Sequence, residues 1–284
     1  MAEIISGKEV AAVLNEGTAA KVAELKNKGI GVSLAVIIVG DDPASKVYVN
    51  NKKKACEKLG ITSYEYVLPE STTQEELMQT VKELNERADV NGILCQLPLP
   101  KHLDSNAVID AIAPEKDVDC FSPTNVGLLN IGRGRLLPCT PAGIMDMLEY
   151  KNISVSGKHC VVIGRSNIVG KPMSALLLAA DATVTVCHSK TQNLKEITKT
   201  ADVLIAAVGR PKFVTADMVK DGAVVIDVGI HRTESGKLCG DVDFDSVEPK
   251  AGYITPVPGG VGPMTIARLM RNTVTAAKLQ NTAE

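Results

Sequence analysis

His159-Cys160-Val161-Val162-Ile163-Gly164-Arg165-Ser166-Asn167-Ile168-Val169-Gly170-Lys171-Pro172 reads as a strand, a glycine turn and the start of a helix that continues through Met173–Ala180. Such a turn points backbone N–H groups and a helix N-terminus at a pyrophosphate. The glycine spacing is Gly-x5-Gly, which departs from the Gly-x-Gly-x-x-Gly pattern of dinucleotide sites. A strand-to-helix turn also takes glycine simply to reach a left-handed backbone. On this stretch alone both readings stand; either way it is one βα unit of a parallel sheet.

The same alternation runs outward in both directions. Downstream, strands are expected at 183–187, 203–206, 224–227 and 253–255. Helices are expected at 170–180, 193–199 and 215–219. A Pro/Gly-rich stretch, Pro256-Val257-Pro258-Gly259-Gly260-Val261-Gly262-Pro263, precedes a last helix from about Thr265 to Leu279. Upstream, strands are expected at 34–39, 64–68 and 92–95, with helices at 8–28, 45–59, 73–87 and 106–112. Thr72, Thr73 and Glu76 make a capping arrangement for the third of these helices. Between the halves, prolines 98, 100, 114, 123, 138 and 141 and glycines 127, 132 and 134 mark a long irregular passage, the kind that joins domains or carries function. A short helix at 141–150 follows it.

The class is therefore α/β with two domains, an N-terminal α/β domain and a Rossmann-like domain, facing across a cleft. Boundaries are expected at 1–138 plus 265–284 for the first domain and 139–264 for the second, the last helix returning to the first. A length of 284 residues, 45% of them hydrophobic, suffices for two cores. Lys+Arg number 31 and Asp+Glu 33, a net charge of −2, so there is no basic footprint for nucleic acid or an anionic membrane. Seven scattered cysteines with no Cys-x-x-Cys pair read as reduced thiols. The four histidines are too dispersed for a metal site. The N-terminus lacks the pattern of a signal peptide and no apolar run approaches a membrane span, so a cytoplasmic location is expected.

Two features bear on chemistry. Tyr48 and Lys52 lie four apart on one helical face, where a ring can hold a flat ligand and an amine can move a proton. Surface lysines at such spacing are more often only solvated. Second, a NAD site places an acid at the end of its second strand. Here that region reads Val186-Cys187-His188-Ser189-Lys190, without one. A hydroxyl beside a cation, with Arg165 on the first turn, suits a ribose 2′-phosphate and favours NADP over NAD. The alternative is that Arg165 and Lys190 are ordinary surface charges.

Taken together, Ser45–Lys54, Gly92-Ile93-Leu94-Cys95-Gln96-Leu97-Pro98-Leu99-Pro100, Lys116-Asp117-Val118-Asp119, Pro138-Cys139-Thr140-Pro141, Gly164–Pro172, Ala207-Val208-Gly209-Arg210-Pro211, Asp227-Val228-Gly229-Ile230 and Pro256–Met264 resemble the methylenetetrahydrofolate dehydrogenase/methenyltetrahydrofolate cyclohydrolase family, in that family's order and over nearly the whole chain. The resemblance implies oxidation of methylenetetrahydrofolate by NADP, then hydrolysis to formyltetrahydrofolate, in a homodimer. It implies that Lys52 is the proton carrier, tuned by Gln96. Tyr48 would stack on the folate and Asp119 would hold the pterin. Pro258, Gly259 and Gly262 would line the pocket. Gly164, Arg165, Ser166, Ser189 and Ile230 would meet the cofactor. One departure is visible: the family carries glycine after the second Asp of Lys-Asp-Val-Asp, and here Cys120 stands there. If that glycine serves a positive φ, Cys120 is strained. Other readings are a family member with only the dehydrogenase activity, a two-domain dehydrogenase for another small substrate, and a nucleotide-binding regulator without turnover. The absence of a Gly-x4-Gly-Lys-Ser/Thr motif argues against an ATP-dependent ligase.

Overall fold

The computed structural model describes residues 1–233 and 235–281. In chain order the elements are β1 (Glu3–Ile4), α1 (Gly7–Asn27), β2 (Ser33–Val39), α2 (Pro43–Leu59), β3 (Thr62–Leu68), α3 (Gln74–Glu86), β4 (Gly92–Cys95), α4 (Ser105–Ala111), α5 (Pro123–Asn130) and α6 (Cys139–Tyr150). Then come β5 (His159–Ile163), α7 (Gly170–Ala179), β6 (Thr183–Cys187), α8 (Leu194–Thr198), β7 (Val203–Ala206), β8 (Val224–Asp227), β9 (His231–Arg232), β10 (Leu238–Cys239), α9 (Phe244–Val247), β11 (Tyr253–Ile254) and α10 (Val261–Asn281). No helix among the described residues is long and apolar enough to cross a membrane.

The chain forms two compact units, Val13–Cys139 with the segment from Ile266 onward, and Met1–Ala12 with Thr140–Thr265. The first is built on a three-stranded parallel sheet in the order β3-β2-β4. Every residue of β2 is buried, as expected of a central parallel strand covered on both faces. Its side chains alternate between two cores. Leu34, Val36 and Ile38 pack with Val22 and Leu25 of α1, Val49 and Cys56 of α2, and Leu269, Met270 and Val274 of α10. Ala35, Ile37 and Val39 pack with Leu77, Val81 and Leu84 of α3 and Val108 of α4. The last helix thus supplies a wall of this unit, and of the capping candidates before α3 it is Thr73 that forms the box with Glu76.

The second unit holds a six-stranded sheet in the order β1-β11-β8-β7-β5-β6, parallel throughout. From β5 the chain moves one way to β6 and then the other way to β7, so the carboxyl ends of β5 and β7 form a topological switch point, the place where such sheets take ligands. Val161, Ile163, Leu204, Ala206 and Val225 form the core on one face.

Several expectations are corrected. Residues 1–12, assigned with the rest of 1–138 to the first domain, lie in the other unit, because Glu3 and Ile4 pair with Tyr253 and Ile254 of β11. The irregular middle passage contains α5, capped by Ser122 and begun by Pro123, a good first helical residue. The helix expected at 215–219 is a single 3-10 turn, Ala216–Met218. The last helix begins at Val261 rather than Thr265; Pro263 sits in its first turn, where a missing N–H leaves no bond unmade.

Candidate active site

Asp42 caps α2, accepting from the Ser45 backbone N–H at 2.7 Å, and Pro43 opens the helix. The helix then carries Tyr48 and, one turn on, Lys52. Tyr48 is 41% exposed, an uncovered ring in a chain with only five tyrosines. Lys52 is half-buried, and its Nζ donates to Gln96 Oε1 at 2.8 Å. Gln96 is fixed from both ends. Its backbone N–H extends the sheet ladder to the Ile37 carbonyl at 2.8 Å, and its Nε2 donates to the Leu97 carbonyl at 2.6 Å. With the amide nitrogen so engaged, the amide oxygen faces the lysine.

Asp119 completes the group. Burial pushes its carboxyl pKa up, against the opposing pull of Lys52; burial likewise pushes the Lys52 amine down, against the pull of Asp119. Desolvation favours the neutral form of each and their mutual attraction the charged form. Desolvation is the larger effect for both. The result is an amine easier to deprotonate than an ordinary lysine, held beside an amide acceptor and an acid.

The surrounding polar residues hold this arrangement, and most were not singled out in the sequence. Asp117 accepts from the Ser122 N–H at 2.8 Å and from Asn125 Nδ2 at 3.0 Å, closing the turn that carries Asp119. Asn272 of α10 donates to the carbonyls of Val118 and Leu137, at 2.8 and 2.7 Å. Lys116 is buried and donates to the carbonyls of Leu84, Asn85 and Arg87, satisfying the end of α3. In Lys-Asp-Val-Asp, Lys116 and the first Asp, Asp117, are therefore structural. In the sequence they stand in a charged run, Glu115-Lys116-Asp117-Val118-Asp119, and only the tertiary partners show that they are buried.

In the other unit, the sequence-predicted cofactor residues gather at the carboxyl edge of the sheet. Gly164 directly follows β5 with φ 140°, and a Cβ there would lie 2.3 Å from the Ala207 carbonyl oxygen. A Cβ on Gly170 would lie 2.2 Å from the Gly164 oxygen. Both glycines are required by close backbone approach, and the second opens α7. Ser166 Oγ accepts from the N–H groups of Val169 and Gly170, at 3.2 and 3.3 Å. Arg165, Ser189 and Lys190 are exposed on the turns after β5 and β6. Ile230, half exposed, follows β8. Pro258 and Gly259, with φ 104° at the glycine, follow β11, and Gly262 lies in the first turn of α10. Nothing lies within 4 Å of where a Gly262 Cβ would stand, so the fold itself does not call for a glycine there.

Two family models match the chain: the catalytic domain of tetrahydrofolate dehydrogenase/cyclohydrolase over residues 5–119, and the NAD(P)-binding domain of the same proteins over 138–281. The chain belongs to the tetrahydrofolate dehydrogenase/cyclohydrolase family. A bifunctional protein FolD from Agathobacter rectalis is 62% identical over 278 residues, spanning 98% of this chain and 100% of the relative. The crystal structure of the bifunctional enzyme FolD, a methylenetetrahydrofolate dehydrogenase/cyclohydrolase from Campylobacter jejuni, matches with TM-score 0.96 and 52% identity over 98% of this chain and 99% of that one. That of the Trypanosoma brucei enzyme, complexed with NADP cofactor and inhibitor, matches with TM-score 0.94 and 40% identity over 99% of each.

Against the family pattern, Cys120 occupies a left-handed backbone position, φ 59°. This is a conformation that costs a non-glycine residue about 1–3 kcal/mol. Its side chain is buried in the core shared by α2 and α10. Burial raises the thiol pKa far above the usual range, so this sulfur is a packing atom and not a nucleophile.

Proposed function

We infer that this member of the tetrahydrofolate dehydrogenase/cyclohydrolase family carries both reactions: NADP-dependent oxidation of methylenetetrahydrofolate to the methenyl form, then hydrolysis to formyltetrahydrofolate. The observation that carries the reading is the Lys52–Gln96 hydrogen bond at 2.8 Å beside Asp119. Hydride transfer asks for no proton carrier, and hydrolysis does. The tight turn that Gly164 and Gly170 allow after β5 leads straight into the N-terminus of α7, the arrangement that suits a pyrophosphate. Arg165 and Ser189, on adjoining exposed turns, fit a 2′-phosphate.

In the first reaction, bound NADP supplies the hydride acceptor. Loss of hydride from the methylene bridge leaves a cation spread over two nitrogens, so the step moves no proton and asks the protein for position only. Tyr48 stacks on the folate. Asp119 accepts from the pterin ring N–H and amino group, a fork that a carboxylate matches. Ile230 lines the cofactor. In the second reaction water adds to the methenyl carbon. Neutral Lys52 takes its proton, then returns one to the ring nitrogen as the carbon–nitrogen bond breaks; the remaining hydroxyl proton leaves to solvent and the carbonyl forms. Gln96 Oε1 orients the amine throughout.

The test is an assay of purified protein with methylenetetrahydrofolate and either NADP or NAD, followed by decay of the methenyl absorbance. NADPH formation followed by methenyl decay is expected; failure of either half removes that activity. Arg165→Ala is expected to lower the NADP/NAD ratio of kcat/KM by about tenfold, the worth of one charge-assisted contact. A wild-type preference for NAD would contradict the 2′-phosphate assignment. Hydrolysis should also report the amine. Lys52 must be neutral to accept a proton, and burial lowers its pKa. The rate is therefore expected to rise with pH and to level off below the roughly 10.4 of an ordinary lysine. A limb centred on the ordinary value, or a rate falling as pH rises through that range, would show that the tuned amine is not the base.

A further inference from the structure

Two carboxylates lie buried behind the carboxyl edge of the six-stranded sheet, and neither has a part in the chemistry above. Asp227 ends β8. Its Oδ1 accepts from the backbone N–H groups of Gly229 and Asp241, both at 2.9 Å, and its Oδ2 from that of Val242 at 2.9 Å. Asp227 so fills the space that a Cβ on Gly240 would stand 1.8 Å from its Oδ2. This seats Gly240-Asp241-Val242 against the end of β8 and turns the Asp241 side chain, which is fully buried, toward β7.

Asp241 is saturated by four donors. Oδ2 accepts from the backbone N–H groups of Val208 and Gly209, at 2.5 and 3.0 Å. Oδ1 accepts from the Arg210 N–H at 3.0 Å and from His231 Nε2 at 2.7 Å. Three successive backbone N–H groups converging on one anion make a nest, and this nest is filled from inside the protein. The turn it shapes follows β7 directly. The residue before it, Ala207, presents the carbonyl that closes on Gly164. His231, the other donor, directly follows Ile230 after β8. One buried carboxylate thus ties together the turns that follow β7 and β8, beside Ala207, whose carbonyl closes on Gly164, and beside Ile230.

We propose that Asp241 is a positioning residue for the dinucleotide: without touching it, its carboxylate sets the shape of the turn after β7 and, through His231, the turn after β8. The proposal rests on the NADP reading above. An amide cannot replace the carboxylate. The side chain of Asp241→Asn would offer one oxygen to donors that now share two, and would point its own N–H groups at the rest.

The experiment compares Asp241→Asn, His231→Leu and His231→Gln with wild type in the full chain, measuring both reactions, the KM for NADP and thermal unfolding. Asp241→Asn is expected to raise the KM for NADP by about tenfold or more. Hydrolysis of methenyl substrate, whose residues Lys52 and Gln96 lie in the other unit, should stay within about twofold. His231→Leu is expected to show a smaller rise in KM. His231→Gln, which keeps an N–H donor, should recover most of that loss. An unchanged KM for NADP in Asp241→Asn, or a fall of both reactions in step with lost folded protein, would overturn the proposal. If Asp241→Asn does not fold, the two His231 variants decide: a KM for NADP in His231→Leu equal to that of wild type, or equal to that of His231→Gln, would overturn it. Absence of NADPH formation by wild type would instead refute the function on which it rests, and the proposal with it.

Discussion

Lys52→Met is expected to slow methenyl hydrolysis by roughly 10²–10⁴-fold, the usual contribution of a positioned proton carrier, while NADPH formation from methylenetetrahydrofolate continues. Methionine keeps the length and apolar stem of lysine and fills the same half-buried space, so the substitution removes an amine without opening a cavity. Gln96 keeps its backbone bond to Ile37 and its side-chain bond to Leu97, and loses only the donor at Oε1. Oxidation should survive because hydride loss moves no proton. The measurement is paired: NADPH appearance and methenyl decay in the same reaction, so that accumulating methenyl substrate is itself the signature. Undiminished hydrolysis in this variant would end the assignment of Lys52 as the proton carrier, whatever its surroundings. Loss of both reactions at equal folded yield would mean that the amine serves substrate binding instead.

Where side-chain pattern and local chemistry agree, the fold is readable from the chain. The run Leu34–Val39 is apolar at every position, and β2 is buried at every position because two helical layers cover it. Thr73 and Glu76 announce α3 by a local device, and the structure contains it. What escapes reading depends on distant partners. Glu3–Ile4 is too short to stand out, and is a strand only because β11 offers it a parallel edge. Asp241 in sequence is an acid after a glycine, an ordinary turn pair; its four donors come from residues 208–210 and 231. The role of Asn272 depends on a helix returning from the far end of the chain. Lys52, Gln96 and Asp119 could be named together only through resemblance, since no local rule links positions so far apart. Cys120 is the reverse case: the family departure raised the question of a positive φ, and only the backbone answers it.

Gly164→Ala should separate the two reactions in the opposite sense to Lys52→Met. The backbone there sits at φ 140°, and the added methyl would meet the Ala207 carbonyl oxygen at 2.3 Å and its carbon at 3.1 Å. Neither is the end of a flexible side chain; both belong to the strand-end backbone that the Asp241 nest holds in place. Dihedral strain and overpacking together are expected to cost about 2–6 kcal/mol. They can be relieved only by moving the end of β5 away from the end of β7. That movement displaces the turn proposed to face the pyrophosphate, and a shift near 1 Å in a binding frame costs on the order of 100-fold in rate. NADP-dependent oxidation is therefore expected to fall by about that factor, with hydrolysis at Lys52 within about twofold. Gly157→Ala is the control. Gly157 also has a positive φ, 71°, but nothing lies within 4 Å of its would-be Cβ, so it should lose about 1 kcal/mol of stability and no oxidation. Equal loss of oxidation in the two variants, read as kcat/KM for NADP at matched folded protein, would trace the effect to backbone strain alone. Loss confined to Gly164→Ala assigns it to the close approach of β5 and β7.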